Sequence, residues 1–187
     1  KYKKIPYSVF YYYFCAQIIM DKNLQMIDAS QADILVTSCP ICYKTFREEY
    51  RLNLKVMHHT EYLNDLIRNK LITPHQSELK TVFHNPCELG RGCGVYAAPD
   101  QVLQTVSHKL ATVYDGKNSL CCGGSLANIH IDPGQRTRIS SDAVKAYLSY
   151  QPDLLVTACP LCKKTFMKTD TAVPIKDIAE VVAENCR

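Results

Sequence analysis

The segment Asp33-Ile-Leu-Val-Thr-Ser-Cys-Pro-Ile-Cys42-Tyr-Lys-Thr-Phe46 recurs 120 residues later as Asp153-Leu-Leu-Val-Thr-Ala-Cys-Pro-Leu-Cys162-Lys-Lys-Thr-Phe166. Ten of the fourteen positions are identical, and three of the four changes are mild. A repeat this close means that one supersecondary unit is built twice, which constrains the fold more than any other feature of the chain. Each copy is an apolar run that ends in Cys-Pro-x-Cys. Two thiols therefore stand at the tip of a predicted strand and face the start of a predicted helix. The chemistry of the chain is to be sought in sulfur.

The repeat organises the rest. One unit spans about Leu24 to Ile72 and the other about Arg138 to Arg187. Each reads as helix, strand, thiol tip, helical turn, short strand and closing helix. In the second unit Ile139, Ala143, Val144, Ala146 and Tyr147 recur at helical spacing. Pro152 breaks that pattern, and Asp153 to Ala158 reads as a buried strand. The closing helices are expected over Thr60 to Leu71, with Thr60 as N-cap, and over Ile175 to Glu184. Between the units, Thr81 to His84 and Ala111 to Tyr114 read as strands, and Pro99 to Ser107 as a helix opened by proline. Strands alternating with helices imply an α/β fold: two pseudo-symmetric halves, mainly parallel strands, cysteine loops at the strand ends. The expected division is residues 1–75, a partial first repeat, and residues 76–187, a complete cysteine-rich domain. Two glycine loops, Gly90-Arg91-Gly92-Cys93-Gly94 and Cys121-Cys122-Gly123-Gly124, let backbone approach a bulky ligand.

With 187 residues, 47% hydrophobic and 21% charged, the chain has the make-up of a globular protein with a real core. A net charge of +4 without any basic stripe argues against a nucleic-acid partner. Ten cysteines dominate the composition. Clustered as Cys-x-x-Cys pairs and one vicinal pair inside an α/β pattern, they point to metal or redox roles in a reducing cytoplasm rather than to a secreted disulfide scaffold. Val9 to Met20 is nearly all apolar but shorter than the roughly 20 residues of a membrane span, and it lacks a signal-peptide cleavage site. It is expected to be a buried strand or helix, with a partner-facing surface as the alternative.

Five thiols of the second half follow in the order Cys87, Cys121, Cys122, Cys159, Cys162. All but the last fall where strands are expected to end, and in a parallel sheet those ends share one edge. Five exceeds the four ligands of a structural zinc or of a cubane [4Fe–4S] cluster. One thiol must be spare, or must bridge irons in a cluster that is not a cubane; the vicinal pair Cys121-Cys122 suits bridging. Lys163, Lys164, Lys168 and Arg91 either offset thiolate charge or form a solvated face.

This arrangement resembles the cysteine-rich "CCG" domain found in heterodisulfide reductase. It is also similar to the iron–sulfur subunits of anaerobic glycerol-3-phosphate dehydrogenase, glycolate oxidase and lactate-utilisation systems. The likeness is carried by His84-Asn85-Pro86-Cys87-Glu88-Leu89-Gly90-Arg91, by Ala98-Pro99 and Leu103, by Leu120-Cys121-Cys122-Gly123-Gly124 and by Cys159-Pro160-x-Cys162. It covers about Thr81 to Arg187 closely and the first unit in part. The resemblance implies a non-cubane [4Fe–4S] cluster on Cys87, Cys121, Cys122, Cys159 and Cys162. It implies an electron-transfer component of an oxidoreductase complex rather than a complete enzyme. Its partners would be flavoprotein or ferredoxin-type dehydrogenase subunits, and its place cytoplasmic, reaching the inner face of a membrane only through them.

The first unit departs from the pattern. It keeps Cys39 and Cys42, but the vicinal pair would fall near residues 1 and 2, where Lys1 and Tyr2 stand. Either the chain begins inside a first motif or that half has lost its cluster. Cys39 and Cys42 hold part of a second site, pair as a disulfide, or are idle. Cys15 is expected to be an ordinary buried cysteine, Cys93 and Cys186 to have no role, and His58, His59 and His84 to be structural. Two other readings compete: a glutaredoxin-like thiol–disulfide oxidoreductase, which leaves Cys87, Cys121 and Cys122 unexplained, and a structural zinc protein using Cys39, Cys42, Cys159 and Cys162.

Overall fold

The computed structural model describes residues 7–124 and 128–186; the side chains of residues 7–15 lie outside that description. The first half runs α1 (Tyr7–Ser30), β1 (Ile34–Thr37), α2 (Pro40–Glu48), β2 (Lys55–His58) and α3 (His59–Arg68). The second runs β3 (Lys80–His84), α4 (Ala97–Val106), β4 (His108–Lys109), α5 (Pro133–Leu148), β5 (Leu154–Thr157), α6 (Pro160–Phe166), β6 (Ile175–Asp177) and α7 (Ile178–Asn185). Every strand pairing is parallel: β1 with β2, and a four-stranded sheet in the order β4-β3-β5-β6.

The duplicated sequence folds into duplicated geometry. Thr37 stands opposite His58 on β1 and β2, and Thr157 opposite Asp177 on β5 and β6. His58 and Asp177 each cap the next helix through a capping box, with Glu61 and Glu180 reaching back. The turns before β1 and β5 both pass through a left-handed residue, Gln31 (φ 52°) and Gln151 (φ 53°).

Burial separates the copies. β5 lies between β3 and β6, and all four of its residues are buried, whereas β1 pairs only with β2 and is exposed or half-buried. Side chains alternate across the larger sheet as the pleat requires. Phe83, Leu154 and Val156 pack with Val102, Leu103, Val106 and Ile178, and the first half adds Tyr43, Val56 and Leu63 to that layer. Val82 and Leu155 face the other way, onto Ala143, Val144, Tyr147 and Phe166. Cys122, Cys159 and Cys162 belong to this second layer. The chain leaves β3 towards β4 on one side and reaches β5 on the other, so the crevice between β3 and β5 is the topological switch point where α/β folds place ligands.

Several local expectations are corrected. Val9 to Met20 lies within a helix, but the described part of it is not buried: Ile18 and Ile19 are 40% and 59% exposed. No helix among the described residues is long and apolar enough to cross a membrane. The strand expected over Ala111 to Tyr114 is replaced by β4 at His108–Lys109, because Lys109 is held by Asp100 and Asp115 and the chain turns immediately afterwards. The helix before it starts at Ala97, two residues ahead of Pro99. Thr60 is not the cap of α3; the His58 side chain is. Ile175 is on a strand, and the apolar face of α7 is Ile178, Val181 and Val182.

Candidate metal centre

The five thiols expected to act together gather at the switch point: Cys87, Cys122, Cys159 and Cys162 line one recess, and Cys121 is the neighbour of Cys122. Each perturbs the titration of the next, in the order Cys87, Cys121, Cys122, Cys162, Cys159. Cys87 follows β3, and Cys159 follows β5 as the N-cap residue of α6. Cys121 and Cys122 are not at a strand end, contrary to expectation, since β4 stops at Lys109. Side chains bring them in. The buried His84 ring accepts from the Thr157 hydroxyl at Nδ1 (3.0 Å) and donates from Nε2 to the Leu120 carbonyl (3.0 Å). Tyr147 meets Ser119 (3.2 Å) and the Leu120 N–H (3.4 Å). Arg91 donates to the carbonyls of Lys117 (3.1 Å) and Ser119 (2.7 Å). Arg91 thus clamps the loop rather than facing sulfur. Lys163 pairs with Glu180, while Lys164 and Lys168 are solvated.

Backbone around the sulfurs is equally specific. After Cys87 the chain makes a π-turn over Glu88–Gly92, a distortion frequent at functional sites. Gly123 has φ +79°, and a Cβ there would meet the Arg136 carbonyl at 2.6 Å; one on Gly124 would overlap the Thr165 hydroxyl. These glycines press the vicinal cysteines against α5 and α6. N–H groups then point at sulfur: Gly123 to Cys121 (3.3 Å), Gly124 to Cys122 (3.4 Å) and the Asn128 amide to Cys121 (3.6 Å). The Leu161 and Cys162 amides also lower the Cys159 pKa without closing a cap bond.

The titration pattern runs through the same five thiols. Hydrogen bonds from Cys122 and Cys87 hold Cys121 far below an ordinary thiol, and the bond from Cys162 brings Cys159 to about 7. Their donors move the other way: Cys87 is raised by its bond to Cys121 and by burial, Cys122 to about 11, and Cys162 by Cys122 and Cys159. Among the described residues no three Cys, His, Asp or Glu side chains surround a point as ligands of a single ion would. Five sulfurs with N–H donors outnumber the four ligands of one zinc and fit a group that has several metal atoms better.

The first unit was only partly legible. Cys39 borders the same recess as Cys87, Cys122, Cys159 and Cys162, which spacing alone does not reveal, while Cys42 is exposed. His59 joins the halves through its Nε2 and Asp177 (3.0 Å), while His58 Nε2 donates to the Ser38 carbonyl within the first half (3.3 Å). Burial, then the neighbouring His59, lowers the His58 pKa to about 3, and burial lowers His84 to about 4, so both rings are neutral structural groups. Cys93 points at the Pro40 carbonyl (3.9 Å), away from the five thiols, and Cys186 packs on the core. The Cys15 side chain is outside the described residues.

One component of the "Dihydromethanophenazine:CoB--CoM heterodisulfide reductase" of Methanosarcina acetivorans is 30% identical over 187 residues, covering 90% of this chain and 44% of that protein. The "EtfAB:quinone oxidoreductase" of Syntrophomonas wolfei is 26% identical, covering 89% of this chain and 26% of its own length. A Chromohalobacter salexigens protein described as "Probable membrane-anchored ferredoxin" is 27% identical, covering 89% and 27%. The chain thus spans less than half the length of these curated relatives. The model of the cysteine-rich domain CCG matches residues 7–47 and 81–167, which include all five gathered thiols as well as Cys39 and Cys42, and the chain belongs to that family.

Proposed function

We propose that this chain is an iron–sulfur-binding, electron-transferring part of a multi-subunit oxidoreductase. Its cluster is a non-cubane [4Fe–4S] group held by Cys87, Cys121, Cys122, Cys159 and Cys162. The observation that carries the reading is the gathering of Cys87, Cys122, Cys159 and Cys162 around one recess at the β3–β5 crevice, with Cys121 beside Cys122. Five donors exceed what a cubane uses. When bound, such a group accepts and releases single electrons. The residues of this chain set its environment: the Gly123, Gly124 and Asn128 donors stabilise charge on sulfur, and the layer of Val82, Leu155, Tyr147 and Phe166 keeps water from one side. Residues 76–187 would be the complete cluster domain and residues 1–75 a partial repeat. Names of relatives that work with quinone, electron-transfer flavoprotein or a heterodisulfide support partner subunits that exchange electrons with it, and contact with a membrane through them.

Anaerobic purification followed by iron, sulfide and zinc analysis tests this. About four irons per chain and a brown visible spectrum are expected. Cys121→Ser and Cys122→Ser should lose that spectrum, and Cys186→Ser should keep it. An iron-free protein, or equal spectra for all three variants, overturns the assignment.

A further inference from the structure

The two Cys-Pro-x-Cys turns share a backbone design and end in different surroundings. In the second, Cys159 and Cys162 are 7% and 4% exposed, and Cys162 is engaged by Cys122. In the first, Cys42 is exposed and Cys39 half-buried. The Cys42 N–H donates to the Cys39 sulfur (3.5 Å), at the start of a nine-residue helix. An N-cap cysteine followed three residues later by a second is the Cys-x-x-Cys spacing that thiol–disulfide couples use. On its inner side Cys39 lines the recess that holds Cys87, Cys122, Cys159 and Cys162. The pair therefore has one sulfur open to solvent and the other against the proposed cluster.

We propose that Cys39 and Cys42 form a redox-active dithiol–disulfide couple, a two-electron store beside the one-electron cluster. This rests on the iron–sulfur reading above. In oxidation the two S–H bonds break, one S–S bond forms, and two protons go to solvent at Cys42. A cluster held by the neighbouring cysteines would take the two electrons one at a time and would pass each to a flavin or ferredoxin-type partner. Reduction runs the same step backwards.

The anaerobic, cluster-loaded chain is equilibrated with glutathione buffers of rising oxidised fraction, trapped with a maleimide, digested and weighed. The peptide that carries Cys39 and Cys42 should pass from two labels to none in one step, while the visible spectrum and iron content hold. Cys42→Ser should leave Cys39 singly labelled at every ratio, with iron unchanged. Reduced methyl viologen, a one-electron donor, should restore both labels faster in the loaded chain than in iron-free Cys122→Ser. Two labels at every ratio, or equal rates of restoration, overturn the proposal. So does iron loss in Cys42→Ser, or about eight irons per chain, since the pair would then be cluster ligands. Absence of iron from the unsubstituted chain would instead overturn the cluster reading, and the labelling step would still report on the dithiol.

Discussion

Lowering the pH from 7 to 5 should destabilise this protein in large part through two buried histidines. His58 and His84 are both fully buried, with pKa values lowered to about 3 and about 4 from an ordinary 6.5. Each ring is held neutral by geometry, since one nitrogen accepts from a threonine hydroxyl while the other donates to a carbonyl. A proton would have to sit on the accepting nitrogen, in a place without solvent. The unfolded chain takes up these protons through 6.5, and the folded chain does not until 4 or below. Stability from each ring is therefore complete above the unfolded pKa and falls as pH drops towards the folded one. Between pH 7 and 5 the loss is about 2 kcal/mol per ring, or about 4 kcal/mol together. With a urea dependence of about 2 kcal/mol per molar, the unfolding midpoint should fall by about 2 M. Urea titrations followed by circular dichroism at both pH values measure this, and the visible spectrum separates cluster loss from unfolding. His58→Gln and His84→Gln start less stable, but each should lose about 2 kcal/mol less on acidification, because glutamine does not titrate. An equal acid loss in the unsubstituted chain and in the double variant would refute the reasoning.

Gly123→Ala should destabilise the chain by about 1–3 kcal/mol and loosen the vicinal cysteines, because a left-handed φ and a backbone carbonyl at 2.6 Å leave no room for a Cβ. Chemical denaturation measures the first effect and the rate of iron release to a chelator the second. Arg91→Ala removes the two donated bonds that hold the loop before Cys121; iron release should quicken while the far-ultraviolet spectrum stays unchanged.

Most of the fold was legible because it depends on local pattern. The repeated apolar run with Cys-Pro-x-Cys became β1–α2 and β5–α6, and β3 fell within one residue of its expected start. Errors came where tertiary contacts override local propensity. Thr60 looks like a better cap than histidine, but β2 delivers His58 to that position with Ser38 opposite its ring. Ala111 to Tyr114 has strand composition, but Lys109 is anchored by two carboxylates and the chain turns away. The candidate site divides in the same way. Cys87 and Cys159 could be placed from strand ends, and Cys162 from the Cys-Pro-x-Cys turn that follows. Cys121 and Cys122 reach the site only through His84, Tyr147 and Arg91, which act across 27 to 36 residues of sequence.

The sequence by itself determined that one unit is built twice, that it is α/β, and that sulfur carries its chemistry, since each of these follows from residue order within a few turns of chain. Tertiary structure decided which copy does what. β5 is covered on both edges and both faces, which removes Cys159 and Cys162 from water and presses Cys162 against Cys122. β1, paired on one edge only, leaves the same Cys-Pro-x-Cys turn with a thiol in solvent. The difference lies in what surrounds each turn, because the desolvation and neighbouring donors that set a thiol's reactivity come from distant parts of the chain.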